Sequence, residues 1–405
     1  MTIEIRPLES DEMLELGRMS AYVYAGAFGD DADGLVARSH LPQWTLCALE
    51  DGELLSSFVD LPLTIRANGR ALPMAGVTVV GTFPEHRRRG LSRRLHTQAF
   101  ANMHEAGRGV AGLWASQAAI YQRYGYAQAT TLRSYEIDSV DIAFFDGDDG
   151  LGDVRRYAAE TGFAAAKKIY IEFIAERTGY LHRSTAMWRN NALDIDAAPG
   201  PIHIAISHDD QGQPNGYLIY TLRANTVDHP ARRQDIEIRD LAWLSQDAYR
   251  SLWSFIKRHD LVGRVRWATA PSDDPAPALF VEPRLLNPKD REGEWLRIVD
   301  VSAALAGRGY DTAGEVTIGL GEDSLAPWNQ GTFKLHASPE GAEVTQVRTA
   351  PQVSMSIKTL ALAFSGRYSI RQLLGWGLVE GDSKALNQLD ALFATRFAPH
   401  CPDHY

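Results

Sequence analysis

Along the first 145 residues the apolar positions switch repeatedly between a period of two and a helical period. Met1-Thr-Ile-Glu-Ile-Arg-Pro7 alternates and predicts a first strand rather than the apolar core of a signal peptide. Met13, Leu16, Met19, Val23 and Phe28 fall at helical spacing. Thr45–Leu49 and Leu54–Leu61 flank Asp51-Gly52, and Leu63–Ile65 and Arg70–Met74 flank Asn68-Gly69. Both dipeptides suit two-residue hairpin turns, which need positive φ at both central positions. Ala75–Phe83 is a β-branched run carrying Val77, Val79 and Val80. Leu91, Leu95, Ala99 and Met103 make one stripe of a helix over Leu91–His104. A short strand, Gly109–Ala115, and a short helix, Ala118–Tyr124, follow; Gly125 is placed to end that helix. Tyr126–Asp138 returns as strand.

Asp146-Gly-Asp-Asp-Gly-Leu-Gly-Asp153 then marks a boundary by its glycine and aspartate content. Beyond it a helical run extends through Arg177. Strands are predicted over Ile202–Ser207, Gly216–Arg223 and Ile236–Leu244, a helix over Asp247–His259, and a strand over Val262–Ala268. Hairpin, strand, helix, strand is the order already met from 45 to 115, so a structural repeat is expected. The first copy joins strand to helix through Arg87-x-x-Gly90-x-Ser92. The second uses Leu244-Ser-Gln-Asp-Ala-Tyr249, with an acid and no glycine, and is expected to be degenerate. The loop Pro271-Ser-Asp-Asp-Pro-Ala-Pro277 and polar Asn287–Glu294 precede a final region. That region opens on Trp295–Val301 and a helix from Ala303. Strands follow near 315–320, 332–336 and 342–347, with helices near 356–364 and 383–397. The expected limits are 1–147, 148–286 and 287–405, with α/β character in the first two segments and α+β in the last. Two prolines keep Ala398–Tyr405 from being helical throughout.

Hydrophobic residues make up 45% of the 405, enough for several cores. No run approaches the ~18 apolar residues of a spanning helix. Cys47 and Cys401 are the only cysteines, which argues against a disulfide framework and suits a cytoplasmic setting. Metal spacings such as C-x-x-C or H-E-x-x-H are absent. The net charge of −10 disfavours nucleic acid as a partner. Yet Arg87, Arg88, Arg89, Arg93 and Arg94 cluster between His86 and His96. A solvated helix face, a patch for RNA or an acidic protein, and a pocket for a small polyanion all compete. The glycine inside the cluster and the strand before it favour the pocket. Free N–H groups and the helix dipole meet at such a turn, Gly90 admits an anion without a Cβ in the way, and arginines add charge-assisted bonds. No G-x-x-x-x-G-K-[ST] or well-placed G-x-G-x-x-G competes for the role.

Arg87-x-x-Gly90-x-Ser92 resembles the Q/R-x-x-G-x-G/A element of the GNAT acetyltransferases, with Ser92 in the last small position. Pro84-Glu-His-Arg-Arg-Arg-Gly-Leu-Ser-Arg93, Ala115-Ser-Gln-Ala-Ala-Ile-Tyr-Gln-Arg-Tyr-Gly-Tyr126 and Ala129-Thr-Thr131 resemble the enhanced intracellular survival (Eis) acetyltransferases of actinobacteria. The likeness spans the chain. It implies an N-terminal GNAT fold, a degenerate GNAT-like fold and a sterol-carrier-protein-like domain. It also implies acetyl-coenzyme A as co-substrate, no metal, and a homohexamer built as a dimer of trimers. Backbone groups of Val80 and Thr82 would hold the pantetheine arm, and Arg87, Arg88, Gly90 and Leu91 the phosphates. Ser116 would lie beside the thioester. Tyr121 would be the general acid and the terminal carboxylate of Tyr405 the general base.

A phenol can protonate a leaving thiolate, because its ordinary pKa of about 10 exceeds a thiol's. Tyr121 can equally be a core residue, as Tyr124 and Tyr126 can. A terminal carboxylate, with a pKa of about 3.5, is a weak base unless buried or relayed through water; Asp403 and His404 stand beside it as substitutes. Asp30, Asp31 and Asp403 are candidate partners of a cationic amine, and Phe28 and Phe83 candidate walls. The expected acceptor is a primary amine: aminoglycoside-like, a polyamine or a lysine side chain. A regulatory protein-lysine acyltransferase and a non-enzymatic lipid-binding or scaffold protein are the alternatives.

Overall fold

A computed structural model describes residues 2–25, 39–147, 152–193, 200–224 and 231–405. The chain forms two compact units, Met1–Ala129 with Glu294–Ala394 and Tyr405, and Thr130–Gly293 with Thr395–His404.

The first unit begins with β1 (Ile3–Arg6), α1 (Met13–Val23), β2 (Thr45–Glu50), β3 (Glu53–Ala67) and β4 (Arg70–Thr82). Both expected hairpin turns form, with φ of +52° and +85° at Asp51-Gly52 and +46° and +86° at Asn68-Gly69. Then come α2 (Leu91–Glu105), β5 (Val110–Leu113), α3 (Ala118–Gln122) and β6 (Ala127–Gln128). Helix α1 stops at Val23, five residues short of the Phe28 that its apolar stripe includes; Phe28 lies outside the described residues. Period-two alternation puts the two sheet faces to different uses. Leu91, Leu95, Ala99 and Phe100 of α2 pack on Leu46, Phe58, Ala75, Val77 and Ala111. Met13, Leu16 and Met19 of α1 pack on Cys47, Leu49, Val59 and Val79.

The strand expected over Tyr126–Asp138 breaks at Ala129-Thr130, and its second half, β7 (Thr131–Asp138), belongs to the second sheet. Next come β8 (Asp153–Ala158), α4 (Ala159–Phe173), α5 (Thr185–Asn191), β9 (Ile202–His208), β10 (Pro214–Ala224) and β11 (Gln234–Trp243). They are followed by α6 (Gln246–Lys257), β12 (Val262–Pro271), α7 (Ala276–Leu279) and β13 (Lys289–Glu292). The segment Trp295–Ile298, read from the sequence as the start of the last region, is β14 of the first sheet. The orders are β1-β2-β3-β4-β5-β14-β6 and, reversed, β8-β9-β10-β11-β12-β7-β13. Each has one parallel pair, β4–β5 and β11–β12, in the corresponding place. The repeat is thus present strand for strand, but the sixth strand of each sheet comes from beyond the other repeat. Sheet membership changes at residues 129–130 and 293–294, whereas the sequence-based limits at 147 and 286 follow loop composition.

The rest of the first unit holds α8 (Val301–Gly307), β15 (Gly314–Leu320), β16 (Gly331–Ser338), β17 (Gly341–Val347), β18 (Val353–Met355), α9 (Ile357–Phe364), α10 (Ile370–Gly375), β19 (Val379–Gly381) and α11 (Ser383–Phe393). Its sheet runs β17-β16-β15-β18-β19. Arg308, 0% exposed, donates to the carbonyls of Phe364, Leu392 and Phe393, so one guanidinium satisfies the carbonyl ends of α9 and α11.

In the second unit the β11–α6 junction is capped internally: Ser245 Oγ accepts from Ala248 N at 3.1 Å, and Asp247 sits in the first turn. A side chain takes one of the free N–H groups at this helix start and an acid stands in its first turn, both of which disfavour an anion there. The tail packs into this unit. His400 N donates to Thr178 O at 3.0 Å, and the His400 ring lies 5.2 Å from that of Tyr180. Asn191 holds His404 through Oδ1 (2.7 Å) and Nδ2 (3.1 Å).

Candidate active site

Strands β4 and β5 pair only at Met74–Val110, Ala75–Ala111 and Gly76–Gly112. Beyond Gly76, β4 runs on to Thr82 while β5 ends at Leu113, so the two strands fork. A bulge sharpens the fork: pairing with β3 shifts between Ser57 and Val59, and Val79 has φ +46°. A β-branched residue there is strained, of order 1–3 kcal/mol, and such strain gathers at functional positions. Two buried serines hold the bulge. Ser57 Oγ donates to Val79 O and Ser56 Oγ to Gly81 O, both at 2.7 Å. The carbonyls nearest the opening have side-chain donors: Tyr24 Oη donates to Val80 O at 3.0 Å and Arg87 Nε to Thr82 O at 3.1 Å. Phe83 follows, its ring 5.7 Å from that of Tyr22.

The turn after β4 has two residues in the left-handed region, Arg88 at φ +63° and Gly90 at φ +76°, and Gly90 is the N-cap of α2. Among the described residues no side chain caps that helix, and nothing lies within 4 Å of where a Gly90 Cβ would stand. The five arginines divide their work. Arg89 is taken by Glu50 at 2.8 Å, Arg93 by Ser324 Oγ at 3.1 Å, and Arg94 reaches Ile3 O. Arg88 is exposed and, among the described residues, meets no hydrogen-bond acceptor. Leu91 is buried and anchors the helix start. Ser92 does more than stay small: Tyr124 Oη donates to its Oγ at 3.2 Å, and His96 Nδ1 lies 2.8 Å from its carbonyl. The His96 ring stacks on Tyr124 at 4.0 Å, and burial drops its pKa to about 4, so it is neutral.

Tyr121, on α3, is 5% exposed and packs edge-on against Tyr126 at 5.9 Å. Burial raises the pKa of its hydroxyl above the ordinary value, and the exposed Ser116 side chain beside it works the other way. Tyr121 therefore holds its proton at neutral pH. Core packing and a polar role coexist in this residue. Tyr405 lies at the base of the fork. Its ring carbon Cδ2 would be 3.1 Å from a Cβ on Gly76, and its hydroxyl 2.6 Å from one on Gly112. Both glycines face away from α2, because the residues just before them, Ala75 and Ala111, face toward it. The phenol donates to Glu294 Oε1 at 2.5 Å.

Asp403 does not serve as expected. It is 0% exposed, and Arg183 Nε donates to its two oxygens at 2.8 and 3.0 Å. With Asp240 also on Arg183, it belongs to a buried ion cluster in the second unit, leaving no face for a substrate amine. Asp30 and Asp31 lie outside the described residues. Tyr24, Glu294 and the Gly76–Gly112 pair were missed by sequence reasoning. Only the two glycines carried a visible signal, one in each of two predicted strands.

A forked parallel pair, a bulge on its longer arm, and an arginine–glycine turn opening a helix define a GNAT-type acetyltransferase. Profiles of the acetyltransferase (GNAT) domain match residues 4–129 and 179–298, and the sterol carrier protein domain matches residues 301–402. N-acetyltransferase Eis of Mycobacterium tuberculosis is 32% identical over 352 residues, covering 84% of this chain and 83% of that protein. An uncharacterized N-acetyltransferase of Streptomyces griseus is 27% identical and covers both chains fully. Eis1 of Mycobacterium abscessus superposes with a TM-score of 0.84 at 29% identity, covering 99% of this chain and 100% of that one. A GCN5-related N-acetyltransferase of Anabaena variabilis, 23% identical, shares the fold over the full length at 0.87. The chain belongs to the Eis family of N-acetyltransferases, an enzyme of tandem GNAT folds followed by a sterol-carrier-protein-like domain. Its GNAT domains imply acetyl-coenzyme A as the acetyl donor. No helix among the described residues is long and apolar enough to cross a membrane.

Proposed function

We propose that the chain acetylates a primary amine by direct transfer from acetyl-coenzyme A, the amine belonging to an aminoglycoside-like compound, a polyamine or a lysine side chain. The reading rests above all on Arg88. Its unengaged guanidinium stands beside an uncapped helix start, just beyond a strand whose backbone has lost its parallel neighbour. Backbone amides of the turn and the cations of Arg87 and Arg88 suit a diphosphate. The open stretch Val80–Thr82 suits an extended amide arm, which would take over the carbonyls that Tyr24 and Arg87 now engage.

In this reading the amine nitrogen bonds to the acetyl carbon and the carbon–sulfur bond breaks. The Tyr121 hydroxyl gives its proton to the departing thiolate. The amine's proton passes to a base on the Tyr405 side, for which the terminal carboxylate is the candidate. Support comes from placement: Tyr121 packs in the cluster beneath α2, whereas Tyr405 lies on the opposite face of the same sheet. Acid and base then approach the fork from two sides. Asp30 and Phe83 remain the acceptor-side candidates. A hexameric assembly and a cytoplasmic setting belong to the same proposal, and sedimentation velocity tests the first.

The test is thiol release with a panel of amines. Tyr121→Phe should lower kcat about 100-fold with acetyl-coenzyme A affinity unchanged; wild-type turnover would remove Tyr121 from the mechanism. Extending the chain by one glycine converts the terminal carboxylate to an amide and should depress turnover likewise.

A further inference from the structure

We propose that Glu294 is a positioning residue: its buried carboxylate seats the phenol of Tyr405 in a slot that Gly76 and Gly112 leave open at the base of the β4–β5 fork. The inference deepens the reading above, because it rests on Tyr405 taking part in transfer.

Glu294 immediately precedes β14, the strand inserted beside β5, and is 0% exposed. Its backbone carbonyl accepts from Ala129 N at 2.9 Å, which fixes the start of that strand. A carboxylate is seldom fully buried without a dedicated donor, and the Tyr405 hydroxyl is such a donor at 2.5 Å. The slot is shaped for this pair. A Cβ on Gly112 would stand 2.6 Å from the Tyr405 oxygen, 2.8 Å from Glu294 Oε1 and 2.9 Å from Met74 Sδ. A Cβ on Gly76 would stand 2.4 Å from Leu63 Cδ1 and 3.1 Å from the Tyr405 ring. The two glycines are also the last register pair before the strands part. Tyr405 is thus held by a directional bond from its side chain to the residue that leads into β14, with its ring beside the pair where β4 and β5 part. A loosely held residue could occupy many rotamers, and misplacement of about 1 Å can cost about 100-fold in rate.

Glu294→Ala and Tyr405→Phe should each lower kcat about 10- to 100-fold, the scale of one charge-assisted hydrogen bond. Acetyl-coenzyme A affinity, read by calorimetry on the full-length protein, should stay within about twofold. The double variant should be no slower than the slower single one, since both remove the same bond. Glu294→Gln keeps an acceptor oxygen and should recover to within about threefold of wild type. Gly112→Ala should reproduce the loss without altering either partner. If Glu294→Ala fails to fold, Tyr405→Phe, at the chain end, still gives the answer. Wild-type kcat in Tyr405→Phe, or losses that add in the double variant, would overturn the proposal. The one-glycine extension separates it from the base assignment. Turnover lost on extension but kept in Glu294→Ala and Tyr405→Phe removes Glu294 alone. Turnover kept on extension with a shared loss in the two variants removes the terminal carboxylate and leaves the pair.

Discussion

Replacing Arg88 by glycine should make the protein more stable and a poorer binder of its acetyl donor, two effects of opposite sign from one substitution. Arg88 sits at φ +63° without the freedom of glycine. The left-handed region costs an L-residue about 1–2 kcal/mol, and glycine gives back about 0.5–1 kcal/mol through its looser unfolded chain. A net gain of about 0.5–1 kcal/mol remains, which is roughly 1–3 °C in melting temperature for a unit of this size. The side chain is exposed and hydrogen-bonded to no described residue, so its removal breaks nothing in the free protein. It does remove a charge-assisted bond to a phosphate, expected to weaken affinity at least about 10-fold. Thermal melts of the free protein and calorimetry with acetyl-coenzyme A read the two effects separately. Arg88→Ala, which keeps the strain, should lose affinity without gaining stability. Affinity within twofold of wild type in Arg88→Gly would refute the phosphate turn.

Arg89→Ala should change acetyl-coenzyme A affinity far less than Arg88→Gly, because Arg89 is committed to Glu50; an equal loss in both would mean the cluster acts as a diffuse field. Arg183→Met leaves Asp240 and Asp403 buried without their cation and should destabilise the second unit by about 3–5 kcal/mol, measured by urea unfolding. His96 ties stability to pH. Its pKa falls from 6.5 to about 4 on folding, so it supplies stability that is complete above pH 6.5 and lost as pH drops through 4. At about 1.36 kcal/mol per pH unit this is about 3 kcal/mol. Unfolding at pH 7.5 and 4.5 should show it, and His96→Gln should flatten the difference.

Local chemistry was legible in the sequence and long-range pairing was not. Asp51-Gly52 and Asn68-Gly69 specify their turns by themselves, since few residues tolerate positive φ twice in succession. The helix behind the arginine–glycine turn shows in the spacing of Leu91, Leu95 and Ala99. Trp295–Ile298 reads equally well as an edge of the last domain or as an inserted strand, because pairing partners 180 residues away leave no local trace. Asp403 looked like a surface acid because its partner, Arg183, is 220 residues upstream. The strain at Val79 was hidden for a different reason: valine is what a regular strand prefers, and only Ser56 and Ser57 on the neighbouring strand make the exception affordable.

The exchange of β7 and β14 has a consequence for synthesis and for inheritance. Residues up to β6 leave β5 without the neighbour that separates it from β6, so the first sheet cannot close until Ile298 has left the ribosome. A gene fragment ending after the first repeat would encode an open-edged sheet prone to pairing with other chains. The second repeat therefore cannot be shed, because the first sheet is stitched shut only after that repeat has been translated.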